Sequence, residues 1–222
     1  MILYLIPARK GSKGVPDKNL LRLTEGDTDT ITERAFRVGC QCAGVNHGQA
    51  FVSSDIEFQG EYIFRGAEIR RPTELCTDEA SMVDVVRWHA SKFAYEIIVL
   101  LQPTSPFRRA EDIAAAIQKV KDGATTCLSA VKTTHGHPAY QLDANGKWAF
   151  APLDPFANRQ DLPTYYTRCG AFYVARADHI RGGGDWYTPD QAFVEVPWYS
   201  GISIDTPEDV IIAKAVAQEL GL

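Results

Sequence analysis

The sequence predicts an α/β domain built on a mainly parallel sheet. Short apolar runs bounded by turn residues read as buried strands. Segments with helix-start spacing and a helical apolar period alternate with them. The alternation holds from residue 2 to about residue 131, as expected for parallel strands covered by helices on both faces.

The elements follow in order. Residues 2–6, Ile-Leu-Tyr-Leu-Ile, form an apolar run that ends at Pro7 and opens the sheet. A polar loop runs from Ala8 to about Thr24. Thr30-Ile-Thr-Glu33 has capping-box spacing and starts a helix to about Cys42. Ala50-Phe-Val-Ser53 is a second strand, with Asp55 just past its end. Residues 56–65 read as helical, and Ala67–Arg70 as a short strand. Ser81-Met-Val-Asp84 heads a helix to about Phe93. Glu96-Ile-Ile-Val-Leu-Leu101 is the clearest buried strand, stopped by Pro103-Thr-Ser-Pro106. A helix from about Ala110 to Lys121 ends at Gly123, and Thr125–Val131 is the next strand. Residues 133–168 break the rhythm with Pro138, Pro152, Pro155, Pro163 and a turn at Asp143-Ala-Asn-Gly146; they read as a hairpin-like excursion. Residues 170–175 and 192–196 return as strands. The last helix starts near Thr206-Pro207 and places Val210, Ala213, Ala217 and Leu220 on one face. No repeat or low-complexity tract divides the 222 residues, so 1–222 read as one domain.

Composition narrows the partners. The chain is 45% hydrophobic with a formal net charge of −5. No basic run is present, which argues against nucleic acid as a partner. The five cysteines are odd in number and lack zinc-site spacing. They read as reduced thiols of a cytoplasmic protein. The N-terminus lacks a basic leader and turns polar by residue 9, so neither a signal peptide nor a membrane partner is expected.

Against that acidic background, one loop is basic. Residues 6–19, Ile-Pro-Ala-Arg-Lys-Gly-Ser-Lys-Gly-Val-Pro-Asp-Lys-Asn, hold Arg9, Lys10, Lys13 and Lys18 with two glycines, Ser12 and Asn19. Glycines let backbone N–H groups approach an anion, and the cations neutralise a polyphosphate. A solvated basic loop is the plain alternative. The segment is neither a P-loop nor a G-x-G-x-x-G fingerprint. Gln102-Pro-Thr-Ser105, at the end of the strongest strand, offers an amide and two hydroxyls to a polyhydroxylated ligand, or caps the next helix. Asp205 lies in Ser203-Ile-Asp-Thr-Pro-Glu208 and reads either as a metal ligand or as part of a helix start.

These segments carry a resemblance. Ile-Pro-Ala-Arg-x-Gly-Ser-Lys-Gly-x-x-x-Lys-Asn resembles the opening signature of the acylneuraminate cytidylyltransferases. Val52-Ser-Ser-Asp55, Arg71-Pro-Thr-Glu-Leu-Cys-Thr-Asp78, Leu100-Leu-Gln-Pro-Thr-Ser-Pro-Phe-Arg108, Arg159-Gln-Asp-Leu-Pro163 and Ile204-Asp-Thr-Pro-Glu-Asp209 follow in that family's order. Octulosonate cytidylyltransferases fit less well, because they usually carry arginine at the position of Lys13.

The resemblance implies a Rossmann-like three-layer nucleotidyltransferase fold with a small dimerisation excursion. It implies a magnesium-dependent homodimer that transfers CMP from CTP to an acidic sugar, with 133–168 reaching toward the partner's site. By similarity, Ala8, Arg9, Ser12, Lys13, Lys18, Asn19, Arg71 and Ser81 bind CTP, with Arg9, Lys13, Lys18 and Asp205 catalytic. Gln102, Thr104, Ser105 and Arg159 bind the acid. Asp205 and, more weakly, Asp209 hold magnesium. Where the family usually shows Asp-x-Asp, this chain has Ser203-Ile-Asp205. Cys169, Thr167 and Tyr140 also depart from the family pattern on the presumed acid side. An octulosonate, another nonulosonate or a small phosphonate stay open as acceptors, and a non-catalytic nucleotide-binding relative is the reading from another class.

Overall fold

The computed structural model describes residues 1–58, 62–64, 66–132, 140–142, 148–150 and 166–221. In chain order the main elements are β1 (Ile2–Ala8), α1 (Ile31–Asn46), β2 (Gly48–Ser54), β3 (Glu68–Arg70), α2 (Met82–Lys92) and β4 (Ile97–Leu100). Then come α3 (Ala110–Lys121), β5 (Thr126–Lys132), β6 (Tyr140–Leu142), β7 (Trp148–Phe150), β8 (Tyr166–Arg176), α4 (Ala177–Arg181), β9 (Ala192–Glu195) and α5 (Pro207–Leu220).

All seven residues of β1 are buried, which is why they read as a continuous apolar run rather than an alternation. Successive side chains leave the strand on opposite faces. Ile2, Tyr4 and Ile6 join a core with Ala35 and Phe36 of α1 and Ile113, Ala116 and Ile117 of α3. Leu3 and Leu5 join a second core with Val86 and Ala90 of α2 and Ile180 of α4. One strand thus has helices on both faces, which makes three layers. Burying each such side chain contributes about 1.5–3 kcal/mol, enough to fix the register of the sheet's centre.

The sheet has seven strands in the order β3-β2-β1-β4-β8-β5-β9. The pairs β1–β2, β1–β4, β2–β3 and β5–β9 are parallel, and β8 lies antiparallel between β4 and β5. The chain runs outward from β1 to β3 and then returns to β4 on β1's other side. The carboxyl ends of β1 and β4 therefore flank the point where strand order reverses, the usual ligand crevice of an open α/β sheet. The basic loop leaves the end of β1, and Gln102–Ser105 follow β4. β6 and β7 form a separate antiparallel pair inside the excursion. Arg159 and the 143–146 turn lie outside the described residues.

A third core pins the site's scaffold. Val15 and Leu23, from the loop after β1, pack with Ile31, Phe107, Ile204, Ala213 and Ala217. The basic loop is therefore anchored to α5 through its apolar residues.

Several sequence expectations need correction. Residues 56–58 and 62–64 are not helical; Phe58, Tyr62 and Phe64 instead pack their rings together beside Phe36. Aromatic burial fixes this segment as a packed loop. Residues 166–168 belong to β8 rather than to the excursion. α1 runs a turn past Cys42 to Asn46 and ends where His47 adopts a left-handed conformation (φ 53°). Leu220 is 43% exposed, so the buried stripe of α5 ends with Ala217. Thr104 and Ser105 do not cap α3, whose N-cap is Arg109. Asp205 does not cap α5 either: Thr206 does, in a capping box with Asp209.

Candidate active site

The loop after β1 doubles back at Asp17, whose left-handed backbone (φ 48°) an aspartate tolerates better than most residues. That bend starts a 3-10 turn, Lys18–Leu20. Lys18 is nearly buried, and its Nζ lies 2.9 Å from Asp205 Oδ1. The loop also closes directly on the Asp205 backbone. A Cβ built on Gly14 would come within 2.1 Å of the Asp205 carbonyl oxygen, so no other residue fits there without moving the loop.

The result is one cavity of about 300 Å³ at the β1/β4 switch. Arg9, Ser12, Lys13 and Lys18 line it from the basic loop, with Asn19, Arg71, Gln102, Thr104 and Asp205 completing its walls. These residues come from four separate segments between positions 9 and 205. Asn19 is buried and donates from Nδ2 to the Arg9 carbonyl at 2.8 Å, which fixes the loop's start. A second cavity of about 390 Å³ shares Arg9 and Asn19 and opens toward Lys10, Asp17 and Asp55. Asp55 accepts there from the Lys10 backbone N–H at 2.8 Å.

The other sequence-derived candidates stand differently. Ala8 is fully buried, and its carbonyl accepts the Ser54 hydroxyl. Ser81 is the N-cap of α2 and donates to Asp84 at 2.6 Å, while its neighbour Met82 lines the cavity. Ser105 is buried behind the loop that carries Gln102 and Thr104. Asp209 Oδ2 accepts three bonds, from the Asp205 and Thr206 N–H groups and the Thr206 hydroxyl. Those backbone donors hold its carboxyl below the usual carboxylate range.

Three features escaped the sequence reading. Asp78 pairs with both Arg9 and Lys13, bridging two cations of the basic loop. Hydrogen bonds from Lys13, then Arg9, keep its carboxyl below the ordinary range. No local pattern marks a pairing across this separation. Arg108, fully buried, donates to the carbonyls of Gln102, Ser105 and Ala171, sewing the loop after β4 to β8. Burial lowers its pKa to about 9. Gly170 of β8 touches the same loop: a Cβ there would meet Ser105 Oγ at 2.8 Å. A glycine inside an otherwise apolar strand, Gly170, was the available signal for this close approach.

Ser203 stands beside Asp205, and its hydroxyl donates to Asp205 Oδ2 at 3.0 Å. Among the described residues no cluster of three or more His, Cys, Asp or Glu could hold a metal alone. Asp205 offers a single, largely exposed carboxylate facing the cavity. Hard oxygen donors of that kind, with one or two carboxylates per ion, suit magnesium when phosphates and water complete the shell. Chemically, the arrangement can take a polyanion on its cations and a hydroxylated ligand on Gln102 and Thr104. Among the described residues, no helix is long and apolar enough to cross a membrane.

The chain is similar to several known proteins. The family described as cytidylyltransferase matches residues 3–181. N-acylneuraminate cytidylyltransferase of Escherichia coli O18:K1:H7 is 31% identical over 98% of this chain and 52% of its own length. The corresponding Streptococcus agalactiae serotype V protein is 26% identical over 94% of this chain and 51% of its own. The chain thus spans about half the length of these relatives. CMP-N,N'-diacetyllegionaminic acid synthase of Legionella pneumophila is 29% identical over 98% of this chain and 96% of its own. A solved CMP:2-keto-3-deoxy-manno-octonic acid synthetase, complexed with CTP, superposes with a TM-score of 0.67 at 19% identity, covering 98% of this chain and 99% of that one. It supports the fold.

Proposed function

Because the chain belongs to the cytidylyltransferase family, we propose that it transfers CMP from CTP to the hydroxyl of an acidic sugar, a sialic or related nonulosonic acid, and releases pyrophosphate. The observation that carries this reading is the single cavity that holds Arg9, Lys13 and Lys18 against Gln102, Thr104 and Asp205. The sialic and legionaminic names among its relatives support the acceptor class.

In this reading the acceptor hydroxyl oxygen bonds to the α-phosphorus of CTP. The bond to pyrophosphate breaks, and the hydroxyl proton passes to water. Negative charge builds on the leaving oxygens, where Arg9, Lys13, Lys18 and the N–H groups of the glycine loop stabilise it. Arg71 and Asn19 meet the cytidine, with Ala8 and Ser81 beside them. Gln102 and Thr104 orient the acid, Ser105 supports them, and Arg159 takes the carboxylate as a planar fork. Asp205 would hold magnesium, with Asp209 fixing the Asp205 backbone behind it. When bound, the ion withdraws charge from phosphate oxygens. We also read the chain as a cytoplasmic homodimer whose 133–168 excursion meets the partner.

The test mixes the chain with CTP, magnesium and a panel of acids, and measures pyrophosphate release and product mass. Release with a sialic or legionaminic acid is expected. Release with an octulosonate or phosphonate alone would move the acceptor. No release with any acid would favour a nucleotide-binding protein without transfer, the reading that Ser203 supports by replacing the second carboxylate.

A further inference from the structure

Arg71 is 4% exposed, yet it forms part of the cavity wall. A guanidinium so placed needs its direction fixed from behind. Its Nε donates to Ser53 Oγ at 3.2 Å, its Nη2 to the Ser53 carbonyl at 2.8 Å, and its Nη1 to the Leu75 carbonyl at 3.3 Å. Ser53 is therefore gripped by two nitrogens of the fork at once. On its far side, Ser53 Oγ lies 2.7 Å from His89 Nε2. Arginine has no acceptor, so the Ser53 hydroxyl accepts from Arg71; with His89 in its Nδ1–H tautomer, the Ser53 proton goes to His89 Nε2.

His89 is 0% exposed and sits on α2 among Val85, Val86 and Ala90. Its other ring nitrogen, Nδ1, has no hydrogen-bond partner among the described residues. A buried polar atom without a partner is destabilising and calls for an explanation. If the ring served packing alone, an apolar side chain of the same size would serve better. The arrangement keeps one nitrogen unsatisfied in order to use the other.

We propose that His89 is a positioning residue for the nucleotide: through the Ser53 hydroxyl it fixes the direction of the Arg71 guanidinium in the cavity wall. The inference deepens the cytidylyltransferase reading, on which Arg71 meets the cytidine. The ring does no acid–base work. Burial, with the Arg71 charge added, lowers its pKa to about 3, so it stays neutral at working pH.

The test uses the full chain as wild type, His89→Phe, His89→Gln, Ser53→Ala and the Ser53→Ala/His89→Phe double variant. Calorimetry gives the CTP dissociation constant, thermal melting gives stability, and NMR gives the Arg71 Nε–H resonance, assigned by its loss in Arg71→Lys. His89→Phe should weaken CTP binding about tenfold, the scale of one well-placed hydrogen bond, without lowering the melting temperature. His89→Gln should restore most of that loss, because its side-chain oxygen can accept from Ser53. Combining Ser53→Ala with His89→Phe should add nothing to either alone, since both act through one hydroxyl. The Nε–H resonance should shift in His89→Phe and return in His89→Gln. A His89→Phe protein with unchanged CTP affinity and an unmoved resonance would overturn the proposal, as would loss of stability alone. If wild type binds no CTP, the cytidylyltransferase reading falls, and the resonance alone decides whether His89 positions Arg71.

Discussion

Asp205→Asn separates the two roles its sequence context suggested. The capping box belongs to Thr206 and Asp209, and the residue-205 backbone N–H that reaches Asp209 survives the substitution. What is lost is the carboxylate's charge and its 2.9 Å pair with Lys18. Asp205's side chain is 65% exposed, so solvent screens that pair. An ion pair of this exposure contributes about 0–1 kcal/mol, which shifts the melting temperature of a chain this long by at most about 2–4 °C. Turnover should respond on another scale. Removing one fixed charge from a phosphoryl-transfer site costs about 100-fold or more, and asparagine offers a metal only a neutral oxygen. Ser203→Asp should act in the opposite sense on the metal: a second carboxylate beside Asp205 lowers the magnesium concentration that gives half-maximal rate. The assay is initial rate against magnesium for wild type, Asp205→Asn and Ser203→Asp, with a melting curve for each. An Asp205→Asn protein with a wild-type magnesium titration would refute the assignment. A large drop in its melting temperature would refute the reading of the cap.

Lys18→Ala should lower turnover about 100-fold or more, because its charge sits inside the cavity. Lys10→Ala should matter far less, since its side chain is exposed on the neighbouring cavity and its bond to Asp55 comes from the backbone; equal activity in the two variants would contradict the assignment of Lys18. His89 stays neutral down to about pH 3, whereas an unfolded histidine protonates near pH 6.5. Between those values the unfolded chain binds more protons, so His89 makes stability rise with pH there, by up to about 1.4 kcal/mol per unit. Denaturant titrations should show that acid-side loss, blunted in His89→Phe; identical slopes in both proteins would contradict it. Light scattering after size exclusion should give about twice 24.6 kDa, and a fully active monomer at every concentration would exclude the dimer.

Much of this was legible because each signal was local. Thr30 and Glu33 sit three residues apart and form the capping box their spacing implied. α3 spans Ala110–Lys121, where its apolar period and Gly123 placed it. β1 was plain because burial on both faces leaves no polar position in five residues. The place of β8 was not legible. A buried antiparallel strand carries the same apolar run as a parallel one, and pairing partners leave no mark on either sequence. The helix expected over 56–65 fails, where 56–58 and 62–64 are described, because tertiary packing of the Phe58, Tyr62 and Phe64 rings decides. At the site, the loop and its cations were legible from composition. The residues that hold them were not, because the bonds of Asp78, Ser53 and His89, and that of Arg108 to Ala171, cross long separations.

Those long-range partners explain how an acidic chain carries so basic a loop. Without an anion, Arg9 and Lys13 rest on Asp78, and Lys18 rests on Asp205. Among these groups only Lys18 is nearly buried; Lys13 and Asp205 are mostly exposed, and Arg9 and Asp78 each keep about a third of their side chain in solvent. Ion pairs in such surroundings are weak, about 0–1 kcal/mol each, so exchanging a carboxylate for a phosphate oxygen has little to overcome. The scaffold does not have to change for that exchange. Val15 and Leu23 stay in the core against α5, Gly14 stays against the Asp205 backbone, and Asn19 still holds the Arg9 carbonyl. On the proposed function, a triphosphate therefore meets cations that are already gathered and only loosely neutralised. On the same proposal, Asp205, once Lys18 turns to phosphate, would be free to hold magnesium.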